Sequence, residues 1–145
     1  MHFDSVAIIP YTKSNGLIED VFLVQEANIM RVQGKANNVL TGTVSEKDYC
    51  INHTVMRELH EELGFQLQED QLLSRLTYCG NIYPHKMLDH KYQFYLVDVT
   101  DIEQTEIKED IVCVKISPDI LLDSKEALVL VAHSFLIQHQ IRYEK

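Results

Sequence analysis

The chain has 145 residues, 46 % of them apolar and 24 % charged, with a formal net charge of −9. That balance is globular and long enough for a single domain, residues 1–145, with its own core. It leaves no apolar run of the roughly 18 residues that a membrane span needs. The acid excess argues against a nucleic-acid backbone as the main partner, since such binders present a basic face.

Val6-Ala7-Ile8-Ile9 and Val21-Phe22-Leu23-Val24 read as buried strands, joined through turn chemistry at Ser14-Asn15-Gly16. Gln25 to Asn38 is mixed in character and reads as a loop, carrying Arg31 and Lys35. Val39-Leu40 leads into Thr41-Gly42-Thr43-Val44, a short strand, and a helix is expected from about Asn52. Leu76 to Cys79 and Tyr92 to Val97 read as paired strands, with Pro84 interrupting the connection between them. That connection holds a basic cluster of His85, Lys86, His90 and Lys91. Ile111 to Ile116 is a further strand. Ser124 to His139 returns to helical spacing, with Ala127, Val131, Phe135 and Leu136 on one face. Strands interrupted by two helices fit an α/β/α sandwich on a mixed sheet.

Cys50, Cys79 and Cys113 are odd in number and widely spaced, without a C-x-x-C pair. They support neither a disulfide framework nor a zinc site, and buried structural thiols in a reducing cytoplasm are expected. The N-terminal residues lack the basic and apolar stretches of a signal peptide.

The most informative stretch is Arg57-Glu58-Leu59-His60-Glu61-Glu62-Leu63-Gly64-Phe65. On a helix, Glu58, Glu61 and Glu62 are i, i+3 and i+4 neighbours that repel one another. Ile51, Val55, Leu59 and Leu63 recur at four-residue spacing and make the apolar flank. Gly64 stands where a helix end favours a left-handed residue. Acids packed this closely call for compensating charge, and hard divalent cations prefer such oxygen ligands.

This string closely resembles the second half of the Nudix hydrolase signature, G-x5-E-x7-R-E-U-x-E-E-x-G-U, where U is apolar. It matches at every fixed position. The first half departs from the pattern. Counting back without a gap places Thr43 on the signature glycine and Tyr49 on its first glutamate. One extra loop residue places Gly42 and Asp48 there, and this alignment is preferred because it keeps a carboxylate near Arg57.

The resemblance implies a Nudix-like α/β/α sandwich and a Mg²⁺-dependent hydrolase, with Mn²⁺ as a substitute. The bond cleaved would be the pyrophosphate linkage of a nucleoside diphosphate derivative or a nucleoside triphosphate. Carried over by residue, Glu58, Glu61 and Glu62 are the expected metal ligands, with a loop carbonyl at Gly42, and Arg57 is the structural orienter. Glu58, or an acid of the loop before the last strand (Glu106, Glu109 or Asp110), is the expected general base, with Glu109 the choice. Substrate contacts are expected from Arg31 and Lys35 and from the second cluster, His85, Lys86, His90 and Lys91, and Tyr11 or Tyr83 could stack on a base or sugar. The expected partner is a small-molecule nucleotide, not nucleic acid or a membrane, and a homodimer is admitted. Two further classes share the fold: a catalytically weak binding or regulatory module, and an isopentenyl-diphosphate isomerase, for which Cys50 is in roughly the right region.

Overall fold

A computed structural model describes residues 3–27, 35–83, 90–105, 112–124 and 126–144. Strand β1 (Phe3–Ser14) carries apolar residues at consecutive positions, so the alternation of side chains commits both of its faces to burial. Val6 and Ile8 enter one apolar cluster, while Ala7, Ile9 and Tyr11 enter another on the opposite face. Strand β2 (Leu17–Ala27) divides in the same way, Phe22 and Val24 against Val21 and Leu23. So does β6 (His90–Asp98), with Tyr95 and Val97 against Phe94 and Leu96.

The remaining strands are β3 (Lys35–Asn38), β4 (Leu40–Thr43), β5 (Leu76–Ile82) and β7 (Val112–Ile116). The sheet runs β3-β2-β1-β6-β5, with β4 paired to β1 and β7 paired to β2. The β1–β6 pair is parallel and the other pairs are antiparallel, so the sheet is mixed. Helices α1 (Ile51–Leu63) and α2 (Glu69–Arg75) cover the first cluster through Val55, Leu59, Leu63 and Leu72. Helix α3 (Ala127–Glu144) and the 3₁₀ turn Pro118–Asp123 cover the second through Leu121, Val129, Ala132 and Leu136. The result is an α/β/α sandwich. No described helix is long and apolar enough to cross a membrane.

The structure departs from the sequence expectations at four points. Residues 35–38, expected in a loop, form β3, a polar edge strand held by its ladder to Val24–Ala27. A third helix, α2, and the 3₁₀ turn are additional elements. The buried stripe of α3 runs through Val129, Ala132 and Leu136, whereas Ala127 is exposed and Val131 and Phe135 are only half-buried. The cysteines also differ: Cys50 is exposed, and Cys79 and Cys113 are half-buried. Burial pushes the Cys113 thiol pKa up, against a hydrogen bond from Gln104.

Gly64 ends α1 at φ 77°, in the left-handed region, and its N–H bonds the His60 carbonyl at 3.0 Å. Its own carbonyl accepts from Thr105 N–H at 2.8 Å, and an added Cβ would collide with the Thr105 carbonyl oxygen. Gly64→Ala should therefore lower stability by at least about 1–2 kcal/mol. Urea denaturation measures this, and an unchanged midpoint would contradict the close approach.

Candidate active site

The loop from Thr43 to Ile51 joins β4 to α1, and one side chain organises it. Arg57, in the second turn of α1, forks onto Asp48: Nε donates to Oδ1 at 3.1 Å and Nη2 donates to Oδ2 at 2.9 Å. Nη2 also reaches the Thr43 carbonyl at 3.3 Å, and Nη1 donates to Glu58 Oε1 at 2.9 Å. Asp48 Oδ2 additionally accepts from Ser45 N–H at 3.1 Å and from the Thr54 hydroxyl at 2.9 Å. Two-point pairing of a guanidinium with a carboxylate is strong and directional. The Arg57 hydrogen bonds hold the Asp48 carboxyl well below the usual carboxylate range, helped by Ser45 and Thr54 and opposed by burial. The same contact with Asp48 raises the Arg57 pKa. Tyr49, the other candidate for this position, is 90 % exposed beside His53.

Glycine at position 42 has a physical reason. Gly42 pairs with Val6 across the β1–β4 ladder, and a Cβ there would overlap the Glu58 carboxylate. Only a residue without a side chain lets Glu58 lie against this strand. Glu58 is 8 % exposed, an unusual degree of burial for a carboxylate. That burial pushes its pKa up; Arg57 pulls it down, and Glu62 and Glu61 add to the upward push.

Glu58, Glu62, Gly42 and Asp48 line a cleft of about 650 Å³. Its other wall includes Ser5, His90 and Tyr92. Ser5 pairs with Thr43 on one side and Tyr92 on the other, so β4, β1 and β6 stand abreast here. Ser5 Oγ lies 2.8 Å from His90 Nε2, and the His90 ring stacks on Tyr92 with centroids 4.8 Å apart. Glu61 has a different setting: its side chain is 47 % exposed and 3.6 Å from Arg57 Nη1, and it is not part of the cleft wall.

Of the other residues expected at the site, Arg31, His85, Lys86, Glu106, Glu109 and Asp110 lie outside the described residues. Lys35 is described only as backbone of β3, paired with Ala27. Tyr11 is 2 % exposed, with its hydroxyl 3.1 Å from His139 Nε2, which makes it a core residue and not a stacking surface. Tyr83 is exposed. Ser5 was not legible as a site residue, because a serine preceding Val6-Ala7-Ile8-Ile9 carries no motif; its partner across the parallel ladder reveals it.

No family model matches the chain, and no curated protein matches it. Solved structures do. An ADP compounds hydrolase is 15 % identical with a TM-score of 0.69, over 98 % of this chain and 74 % of that one. A MutT structure from work on Aliivibrio salmonicida and Vibrio cholerae is 16 % identical with a TM-score of 0.68, over 95 % and 99 %. The NUDIX domain of Shewanella oneidensis NrtR, solved with ADP ribose, is 14 % identical with a TM-score of 0.71, over 96 % and 88 %. The chain has the Nudix fold, with a mixed sheet between helices.

The Asp48–Arg57 pair carries a pH signature. Because the native pKa of Asp48 is depressed, its contribution is fully present above the ordinary value of 3.8 and is lost as pH falls through the lowered native value. Asp48→Asn should cost about 1–3 kcal/mol at pH 7. The gap to the unmodified protein should narrow as acid is added. Denaturant titrations of both proteins from pH 7 to pH 3 measure it, and a gap that widens in acid would reverse the assigned sign.

Proposed function

We propose that this protein is a Mg²⁺-dependent pyrophosphohydrolase that cleaves the pyrophosphate linkage of a nucleoside diphosphate derivative or a nucleoside triphosphate. The observation that carries the reading is the approach of the Glu58 carboxylate to Gly42 in the cleft that Glu62 also lines. The ADP compounds hydrolase and the ADP-ribose-bound NUDIX domain among its structural neighbours favour the diphosphate derivative.

The donor chemistry fits a hard divalent cation. Glu58 lies against the strand in the space that Gly42 leaves, Glu62 lines the same cleft, and oxygen donors of this type suit magnesium. As placed, Glu58 is turned onto Arg57, and among the described residues no three His, Cys, Asp or Glu side chains converge on one point. Glu58 and Glu62 would hold the ion, with Glu61 as the outer third ligand and Gly42 offering its carbonyl. When bound, Mg²⁺ or Mn²⁺ supplies charge neutralisation at the phosphates and acidifies water.

The chain's own residues do the rest. Arg57 fixes the rotamer of Glu58 and ties the loop at Thr43 to the helix, so the acids meet substrate in one arrangement. Glu109 is the proposed base, its carboxylate taking the proton from the attacking water. Arg31, Lys35, His85 and Lys86 are proposed to hold distal parts of the substrate. The isomerase alternative has little support, because Cys50 is exposed at the start of α1 and does not line the cleft.

The direct test is AMP release from ADP-ribose, beside a panel of nucleoside triphosphates, with Mg²⁺ or Mn²⁺ and after chelation. Cleavage that requires the metal is expected. Nucleotide binding without cleavage would make the chain a binding module instead.

Two substitutions separate the roles. Glu62→Gln should remove most Mn²⁺ binding by titration calorimetry while leaving stability equal or raised by about 0.2–0.5 kcal/mol through relieved repulsion. Unchanged Mn²⁺ affinity would sink the metal assignment. Glu109→Gln should lower turnover by about 10²–10⁴-fold at nearly normal metal affinity. A loss below about tenfold would move the base to Glu58 or another loop acid.

A further inference from the structure

Helix α3 carries two stripes, and the fold uses one of them. Val129, Ala132 and Leu136 are buried in the second apolar cluster, and His139 is buried beside Tyr11 of β1. The opposite side carries Ala127, Leu130, Ser134 and Ile137, all exposed, with Leu130 at 41 % and Ile137 at 47 %. A surface helix ordinarily turns charged residues outward, and a helix apolar on every side is a buried one. Ala127 to Ile141 holds no Asp, Glu, Lys or Arg, in a chain that is 24 % charged.

The spacing indicates what such a stripe fits. Positions 127, 130, 134 and 137 step by three, four and three, which is the seam of two helices packed side by side. These steps read the same in both directions, so an antiparallel second copy of α3 keeps the register. Under that two-fold, Leu130 meets the partner's Ser134, and Ile137 meets the partner's Ala127. Each large side chain then faces a small one, the alternation that lets facing helices interdigitate. A parallel pairing would set Leu130 against itself and Ile137 against itself.

The seam from Ala127 to Ile137 is about 15 Å long, and a standard interface covers about 800 Å² per partner. Exposed apolar residues at its margin extend it. Leu17 stands beside the helix, because the Ile18 N–H donates to Gln140 Oε1 at 3.0 Å, and Leu122 belongs to the 3₁₀ turn packed on α3. Charge also favours a second copy at this stripe: bodies of net charge −9 repel least where neither presents an acid. A lipid surface fits less well. No described helix is long and apolar enough to cross a membrane, and an interfacial helix needs Lys or Arg flanking its apolar face.

We propose that the exposed stripe of α3 is a homodimer interface, an antiparallel α3–α3 contact centred between Leu130 and Ser134. It is independent of the hydrolase reading, and its test measures association alone.

Sedimentation velocity of the unmodified chain, from low to high micromolar concentration, should show a monomer–dimer equilibrium. Leu130→Glu and Ser134→Glu should each move the midpoint at least about tenfold higher in concentration, and Ser134→Ala should leave it in place. Leu73→Glu, at an exposed leucine of α2, is the control and should also leave it in place. In a Cys50→Ser background, Leu130→Cys combined with Ser134→Cys should oxidise to a linked dimer in higher yield than either change alone. A monomer at every concentration would overturn the proposal, as would a dimer indifferent to Leu130→Glu or weakened equally by Leu73→Glu. Equal crosslinking by Ser134→Cys alone would overturn the antiparallel register. A monomer that co-sediments with phosphatidylserine vesicles would overturn the dimer in favour of a lipid surface.

Discussion

The fork between Arg57 and Asp48 is the constraint on which the site depends. It links a helix to the loop that precedes it through two charge-assisted bonds. The same guanidinium reaches the Thr43 carbonyl and the Glu58 carboxylate. One cation thus sets the distance between the end of β4 and the acid flank of α1. Asp48 in turn is held by Ser45 and Thr54, so the loop is fixed from both ends. Without this link, the Glu58 carboxylate would be buried beside Gly42 with no positive partner, an expensive arrangement for an acid.

That geometry bears on how an acidic cleft would take the anionic ligand proposed for it. Burial and the neighbouring Glu61 and Glu62 make ionised Glu58 costly, and Arg57 offsets only part of that. The remaining negative potential is what a divalent cation would neutralise. Glu58 and Glu62 of α1 line the cleft beside β4, and the Ser5–His90–Tyr92 group on β1 and β6 lines its other side.

Much of this was legible in the sequence because its signals are strong and local. The four-residue spacing of Val55, Leu59 and Leu63 fixed the buried side of α1, and all three are fully buried. Gly64 marked the helix end, and the apolar runs in β1, β2 and β6 marked strands covered on both faces. Other elements gave weaker signals. In α3, Leu128-Val129-Leu130-Val131 is apolar at consecutive positions, so helical spacing alone does not choose the rotation, and tertiary packing selects Val129 over Val131. The polar segment Lys35–Asn38 has no strand propensity and becomes a strand through pairing with β2. Helix α2 has seven residues and one buried side chain, too short for periodicity. Its available signal was Gln71, whose side chain accepts from the Gln68 N–H, with Glu69 and Asp70 in the first turn. The identity of the bracing acid depended on a one-residue difference in loop length, which only the three-dimensional path of residues 43–50 distinguishes.

Asp48 and Arg57 act as one unit that sets Glu58 in place. A double-mutant cycle with Asp48→Asn and Arg57→Met, read in both stability and Mn²⁺ affinity, tests it most directly. The double variant should lose little more than the worse single variant in both readouts, with a coupling of about 0.5–3 kcal/mol in stability. Losses that simply add, in stability and in metal affinity alike, would contradict it.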